Sequence, residues 1–132
     1  MVLNVTTGAR AVDALRSITS LYHLIGLENV VIVQHTFCGT TGFTAEWLID
    51  THKRETGVDI SRQHHHADMS VPDFEQTLRY DVELVRNSPG TPNNLNIFGY
   101  IFDIDTGQLT KVIEDRGVPR NSISPHSAQG AE

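Results

Sequence analysis

The sequence predicts an α/β protein, a mostly parallel sheet flanked by helices and closed by a C-terminal hairpin. Three observations carry this reading. Val30–Val33 is an uninterrupted β-branched run, the mark of a strand covered on both faces. The segment before it repeats apolar residues at helical spacing. The run NIFGYIFDIDTGQLTKVI, from Asn96 to Ile113, reads as two β-rich stretches joined around Asp105-Thr106-Gly107, where glycine supplies the positive φ of a tight turn.

Met1–Val5 (MVLNV) is a short β-like segment, and Thr6-Thr7-Gly8 is a turn. From Arg10 to Ile25, the residues Ala11, Leu15, Ile18, Tyr22 and Ile25 recur every three or four positions, with Ala14 and Leu21 beside them. That is an amphipathic helix, and Gly26 stands where a left-handed residue ends it. Strand, helix and strand make one βαβ unit with a right-handed crossover. His35 and Cys38 then fall just past the carboxyl end of the second strand, where open α/β sheets place their ligands.

Thr44–Glu55 reads as a second helix, with Trp47 and Leu48 toward the core and Gly57 ending it. Asp59–Met69, containing RQHHHADM, shows no periodicity and reads as a loop. Ser70 and Asp73 predict a capping-box-like helix start, in which Pro72 is tolerated because first-turn amides have no helical partner. Phe74, Leu78, Val82 and Val85 form the buried stripe of that helix, which ends before Pro89. Residues 1–114 form the predicted domain, and 115–132 a loose polar tail rich in Ser, Pro and Gly.

A chain of 132 residues, 39% hydrophobic and 20% charged, is one globular domain able to bury its own core. A net charge of -6 argues against a nucleic-acid partner held by a basic surface. Cys38 is the single cysteine, so no internal disulfide forms. The N-terminus has no signal-peptide pattern and no apolar stretch is long enough to span a bilayer. These features predict a soluble, cytoplasmic protein with no membrane partner.

His35 and Cys38 offer an imidazole and a thiolate, the two ligand types zinc favours, at a His-x-x-Cys spacing that one turn can bring to a single ion. Two ligands do not hold a zinc: structural sites take four from the protein and catalytic sites usually three plus water. The plain alternative makes Cys38 a small buried hydrophobe and His35 a hydrogen-bonded residue at a strand end. The His64-His65-His66 tract is either a solvated run or a supplementary set of metal donors. Asp103 and Asp105 flank the hairpin turn and favour it by local hydrogen bonds.

The stretch LRSITSLYHLIGLENVVIVQHTFCGTTGFT resembles the β-class carbonic anhydrases, whose strand ends in H-x-x-C-G after a helix and a G-x-x-x-V-V-I lead-in. DFEQTLRYDVELVRNSP followed by IFGYIFDIDTGQLTKV resembles that family's later helix and its G-Y-x-Y-D-x-x-T-G-x-L hairpin, above all in the small fungal and prokaryotic branch. The resemblance runs from Val2 to Ile113. It implies zinc-dependent, reversible hydration of carbon dioxide, with His35 and Cys38 as Zn2+ ligands, Gly39 completing the motif, and dimers or tetramers as homo-oligomeric states.

In the family a second Cys, from a C-x-D-x-R motif on an earlier strand, completes the ligand set, and that motif's Asp and Arg pair beside the metal. The 132 residues contain no C-x-D-x-R, so the family's first strand is expected to be missing, and either Met1–Val5 pairs directly with Val30–Val33 or a gap is left, for which another chain is the expected filler. The family's Arg-Asn step falls on Leu3-Asn4 and its Gly-rich turn on TTGAR, which puts Asn4 and Gly8 near the site. Phe37 stands where close relatives often carry Asp and would either narrow the pocket or pack against it. With an incomplete site, this chain alone is expected to have weak or no activity as an anhydrase. The alternatives are a non-catalytic scaffold associating with a family member, a carbonyl sulfide or carbon disulfide hydrolase relative, and a remnant metal or redox-sensitive site.

Overall fold

The computed structural model describes residues 3, 5, 7–36, 42–71 and 73–119. Its elements are α1 (Leu15–Ile25), β1 (Asn29–His35), α2 (Ala45–Thr56), α3 (Phe74–Asn87), β2 (Asn96–Phe102) and β3 (Leu109–Asp115). The strands form a mixed sheet in the order β1-β2-β3. β1 and β2 run parallel, with Val31 opposite Phe98, Val33 opposite Tyr100 and His35 opposite Phe102, and β3 returns antiparallel to β2.

Each helix end has a local cause. Gly26 and Gly57 take left-handed conformations at φ 74° and 78° and donate their N–H groups to Tyr22 and Lys53, which satisfies carbonyls that a helix end leaves free. The Thr44 hydroxyl accepts the Trp47 N–H to start α2. Asp73 alone caps α3, accepting from Gln76 N–H, so the capping box expected from Ser70 is replaced by a single-residue cap. Arg10–Ile25 is not one helix: a 3-10 turn over Ala11–Ala14 precedes α1.

The core lies between α1, α3 and one face of the sheet. Leu78, Val82 and Val85 of α3 and Ile18 of α1 meet Ile32 and Ile97. The opposite face is open: Val31 and Val33 are 53% and 41% exposed, and Phe102 and Trp47 are exposed too. Both differ from expectation, since a β-branched run reads as covered on both sides and Trp47 was read as core. The short α2 touches the body of the protein chiefly around His66–Asp68, and its indole, though it meets the Phe43 ring at 5.8 Å between centroids, stays 53% exposed. Leu3 and Val5 belong to no strand and are also exposed.

Asp115 is the last residue of β3 rather than the first of a tail. Gly117 N–H donates to Asn96 Oδ1 and Val118 N–H to Asn93 O, so the chain remains tied to the sheet through Val118. Arg86 fastens the same corner, donating from Nε to Asp115 Oδ2 at 3.0 Å and from Nη2 to Leu95 O at 2.6 Å.

One buried ion pair locks the N-terminal turn to α3. Arg10 and Asp81 are 3% and 0% exposed. Arg10 donates from Nε to Asp81 Oδ2 at 3.0 Å and from Nη2 to Oδ1 at 2.9 Å. Its Nη1 donates to Ala67 O and Ser70 O, and Asp81 Oδ2 also accepts the Ala11 N–H. The guanidinium lies 5.7 Å from the Tyr80 ring centroid.

Partial desolvation raises the hydroxyl of Tyr80, a residue still 40% exposed, above its ordinary 10.0, and the Asp68 and Asp81 carboxylates add to this while Arg10 opposes it. A tyrosine raised in the folded state contributes stability that is whole below its unfolded value and lost as pH climbs through the folded one. Ultraviolet titration of the wild type against Tyr80→Phe should therefore place Tyr80 ionisation above pH 10; a midpoint below that would contradict the geometry.

Candidate metal centre at the carboxyl end of β1

His35 is the last residue of β1, not a residue beyond it, and it is exposed. Two bonds hold the backbone here. Thr36 N–H donates to Phe102 O at 2.9 Å, and Ile104 N–H donates to the Thr36 hydroxyl at 3.1 Å. The strand end carrying His35 is thus pinned to the β2–β3 turn, which is itself closed by Asp103: its side chain accepts from Asp105 N–H and Thr106 N–H, and its carbonyl from Gly107 N–H.

His35 Nδ1 lies 2.8 Å from Thr36 O. A carbonyl oxygen only accepts, so the contact as a hydrogen bond assigns the proton to Nδ1 and leaves the Nε2 lone pair of the neutral ring free. That is the state in which a histidine ligates a metal, its other nitrogen fixed by an oxygen acceptor.

Gln34, beside it, points the other way. It is 3% exposed; its Nε2 donates to Gly8 O at 3.2 Å, and its Oε1 has no partner among the described residues. This contact brings the Gly8 turn to the end of β1. Gly8 and Ala9 both have positive φ, 71° and 52°, a conformation that costs Ala but not Gly. The sequence does carry a signal for Gln34: it continues the side of β1 that holds Val30 and Ile32, so it is a polar residue placed in the buried row.

Phe37, Cys38, Gly39 and Asn4 lie outside the described residues. Of the sequence-predicted site, His35 and Gly8 are described, at the same end of the sheet. The His64-His65-His66 tract lies elsewhere: His64 and His65 line a cavity of about 590 Å3 with Arg10, Phe43 and Met69, and His66 Nδ1 is 3.6 Å from Glu46 Oε1. His35 does not line that cavity.

The zinc implied by the resemblance can be tested against these donors. His35 Nε2 has no partner among the described residues, and among them no three His, Cys, Asp or Glu side chains come together around a common point. The described residues thus offer one candidate donor, His35, where a zinc site needs three or four, and the other predicted donor, Cys38, lies outside them.

Comparison with known proteins gives a consistent answer. No family model matches the chain. It is 27% identical over 112 residues to a carbon disulfide hydrolase of Acidithiobacillus thiooxidans, covering 74% of this chain and 56% of that protein. It is 26% identical over 100 residues to β-carbonic anhydrase 1 of Mycobacterium tuberculosis, covering 76% and 59%. The chain thus spans less than three-fifths of the length of these curated relatives.

Among solved structures, the carbonic anhydrase of Streptococcus mutans superposes with a TM-score of 0.67 at 33% identity, over 76% of this chain and 59% of that one. The carbonic anhydrase of Glaciozyma antarctica gives 0.66 at 29% identity, over 81% and 64%. The apo form of a carbon disulfide hydrolase, 22% identical with a TM-score of 0.58, shares the fold. In sequence and in backbone, the chain's relatives are β-carbonic anhydrases and the carbon disulfide hydrolases related to them, and it fits that family.

Proposed function

We propose that this protein is a β-carbonic-anhydrase-type module whose Zn2+ ligands within these 132 residues are His35 and Cys38, and which alone turns over carbon dioxide weakly or not at all. The observation that carries the reading is His35 at the carboxyl end of a parallel strand, Nδ1 bonded to Thr36 O and Nε2 without a partner among the described residues, with no further described ligand beside it. A complete centre then needs a donor from a segment outside these residues or from another chain. Phe37, Gly39, Asn4 and Gly8 are proposed to border it. In this reading the protein works in the cytoplasm as a homo-oligomer, a dimer or tetramer, and its substrate when complete is carbon dioxide or bicarbonate.

A second reading has its own support. The relatives include carbon disulfide hydrolases from three organisms, which makes carbon disulfide, or carbonyl sulfide, a candidate substrate of the same site. A non-catalytic role as an association partner of a complete family member is the remaining alternative.

Zinc per chain, measured by elemental mass spectrometry on tag-free protein beside Cys38→Ser, tests the ligand assignment. The expected result is well below one zinc per chain in the wild type, less still in the variant, and carbon dioxide hydration by stopped flow near the uncatalysed rate. Full zinc occupancy abolished by Cys38→Ser, with hydration far above background, would overturn the incomplete centre. Hydrogen sulfide release from carbon disulfide, without carbon dioxide hydration, would favour the second reading.

A further inference from the structure

Gln34 breaks the pattern of its strand. It is buried in the row that Val30 and Ile32 begin on the core side of β1, yet it is polar, and only half of its amide is in use. Its Nε2 donates to Gly8 O at 3.2 Å, while Oε1 is buried without a partner among the described residues. A buried acceptor left unmet is costly. An apolar side chain of the same size would avoid that cost.

A second cost lies at the other end of the same bond. Gly8 and Ala9 have φ of 71° and 52°, and Ala9 is the one non-glycine residue at positive φ among the described residues. A turn of this kind persists only where its surroundings hold it. The Thr7–Ala9 turn packs against β1, and Gln34 supplies the side-chain hydrogen bond that the described residues show between the two. Unfavourable features that meet at one contact are expected where function, rather than stability, keeps them.

The contact is next to His35. On the far side of the histidine, Thr36 N–H donates to Phe102 O at 2.9 Å; on the near side, Gln34 is held inward by Gly8 O. Side chains alternate along a strand, so holding Gln34 toward the core holds His35 away from it. The histidine is bracketed by two anchors, one from the backbone and one from a side chain. Supports of this sort give a ligand its fixed geometry.

We propose that Gln34 is the positioning residue of the candidate centre: its amide clamps the Gly8–Ala9 turn onto the carboxyl end of β1 and so sets the direction in which His35 presents Nε2. This role rests on the ligand assignment proposed above. Gln34 is not itself a ligand, since its side chain leaves the strand on the side opposite His35; it acts through its neighbour's backbone and through the turn.

Gln34→Met keeps the length and bulk of the side chain but removes both the donor and the unmet acceptor, and Gln34→Leu repeats the test with a second apolar residue. Both are compared with the wild type by urea denaturation, cobalt(II) titration and hydrogen exchange. Cobalt is followed by its thiolate charge-transfer absorption, which in a chain with one cysteine reports metal bound at Cys38 and not at the His64-His65-His66 tract. The variants should be at least as stable as the wild type, because the half-buried Gly8 can turn its carbonyl to water. Their cobalt affinity should be weaker by about ten-fold, and their Gly8 and Ala9 amides should exchange faster. Lower stability with unchanged cobalt affinity would overturn the role and make Gln34 a strut of the core. Unchanged exchange at Gly8 and Ala9 would overturn the clamp. A wild type without thiolate–cobalt absorption would overturn the ligand assignment and this role together, whereas equal affinity in wild type and variants would overturn this role alone.

Discussion

Replacing Asp81 with alanine is expected to destabilise the protein by about 3–5 kcal/mol, because it strands a buried arginine. Arg10 is 3% exposed, and its bonds to Asp81 at 2.9 and 3.0 Å supply the negative charge in direct contact, with Asp68 more distant at 3.5 Å. Without Asp81 the guanidinium keeps two backbone carbonyl acceptors and the longer ion pair to Asp68 at 3.5 Å, but loses its two short carboxylate bonds. The Ala11 N–H loses its acceptor at the same time. Against a total stability of about 5–15 kcal/mol for a domain of this kind, such a loss leaves little margin. Urea denaturation at neutral pH reads it directly, and a loss under about 1 kcal/mol would refute the buried pair.

The double variant Asp81→Ala/Arg10→Leu should recover part of that loss, since removing both partners leaves no uncompensated charge. The pair also has a local task. Arg10 follows Gly8 and Ala9, both at positive φ, and Gly8 O is the acceptor for Gln34 at the end of β1. A turn in that conformation persists only where its surroundings hold it. The Arg10 side chain is the anchor on its far side, so the same substitution should loosen the turn beside His35.

The helices and strands were legible because their signals are local. Apolar spacing marked α1 and α3, Gly26 and Gly57 marked two helix ends, and Gly107 marked the hairpin turn, where φ is 73°. What escaped is long-range. Nothing near Arg10 announces an aspartate 71 residues away as its partner, and Asp81 sits in a helix where a charged residue reads as surface. Trp47 was misread for the same reason: its helical face was clear, but whether anything packs against α2 depends on elements distant in sequence.

The candidate centre divides similarly. H-x-x-C-G is a contiguous motif, so His35 could be named from sequence together with its position at a strand end. The donor state of its ring could not, because that depends on a contact with Thr36 O. Gln34 was readable only in hindsight as the polar member of a buried row. The place of β1 in the described sheet was concealed by its own composition: Val30–Val33 reads as an interior strand, and the described residues leave it at the sheet's margin.

Leu78→Ala is expected to cost about 2–5 kcal/mol, the range for emptying a fully buried leucine site, since Leu78 is 0% exposed at the centre of the α3–sheet contact. Gly99 in β2 is its neighbour across that contact. A Cβ built there would lie 3.5 Å from Leu78 Cδ2 and 2.7 Å from Ile113 Cγ2, so Gly99→Ala is expected to cost about 1–3 kcal/mol by overpacking. One substitution opens space and the other fills it at the same place. The double variant should therefore be less destabilised than the two single losses combined. The relief is partial, because the tighter contact, with Ile113, remains. Simple additivity in urea melts would mean that α3 and β2 do not share that space. It would also undermine the support of the site, since β1 reaches its His35 end in register with β2 along its whole length.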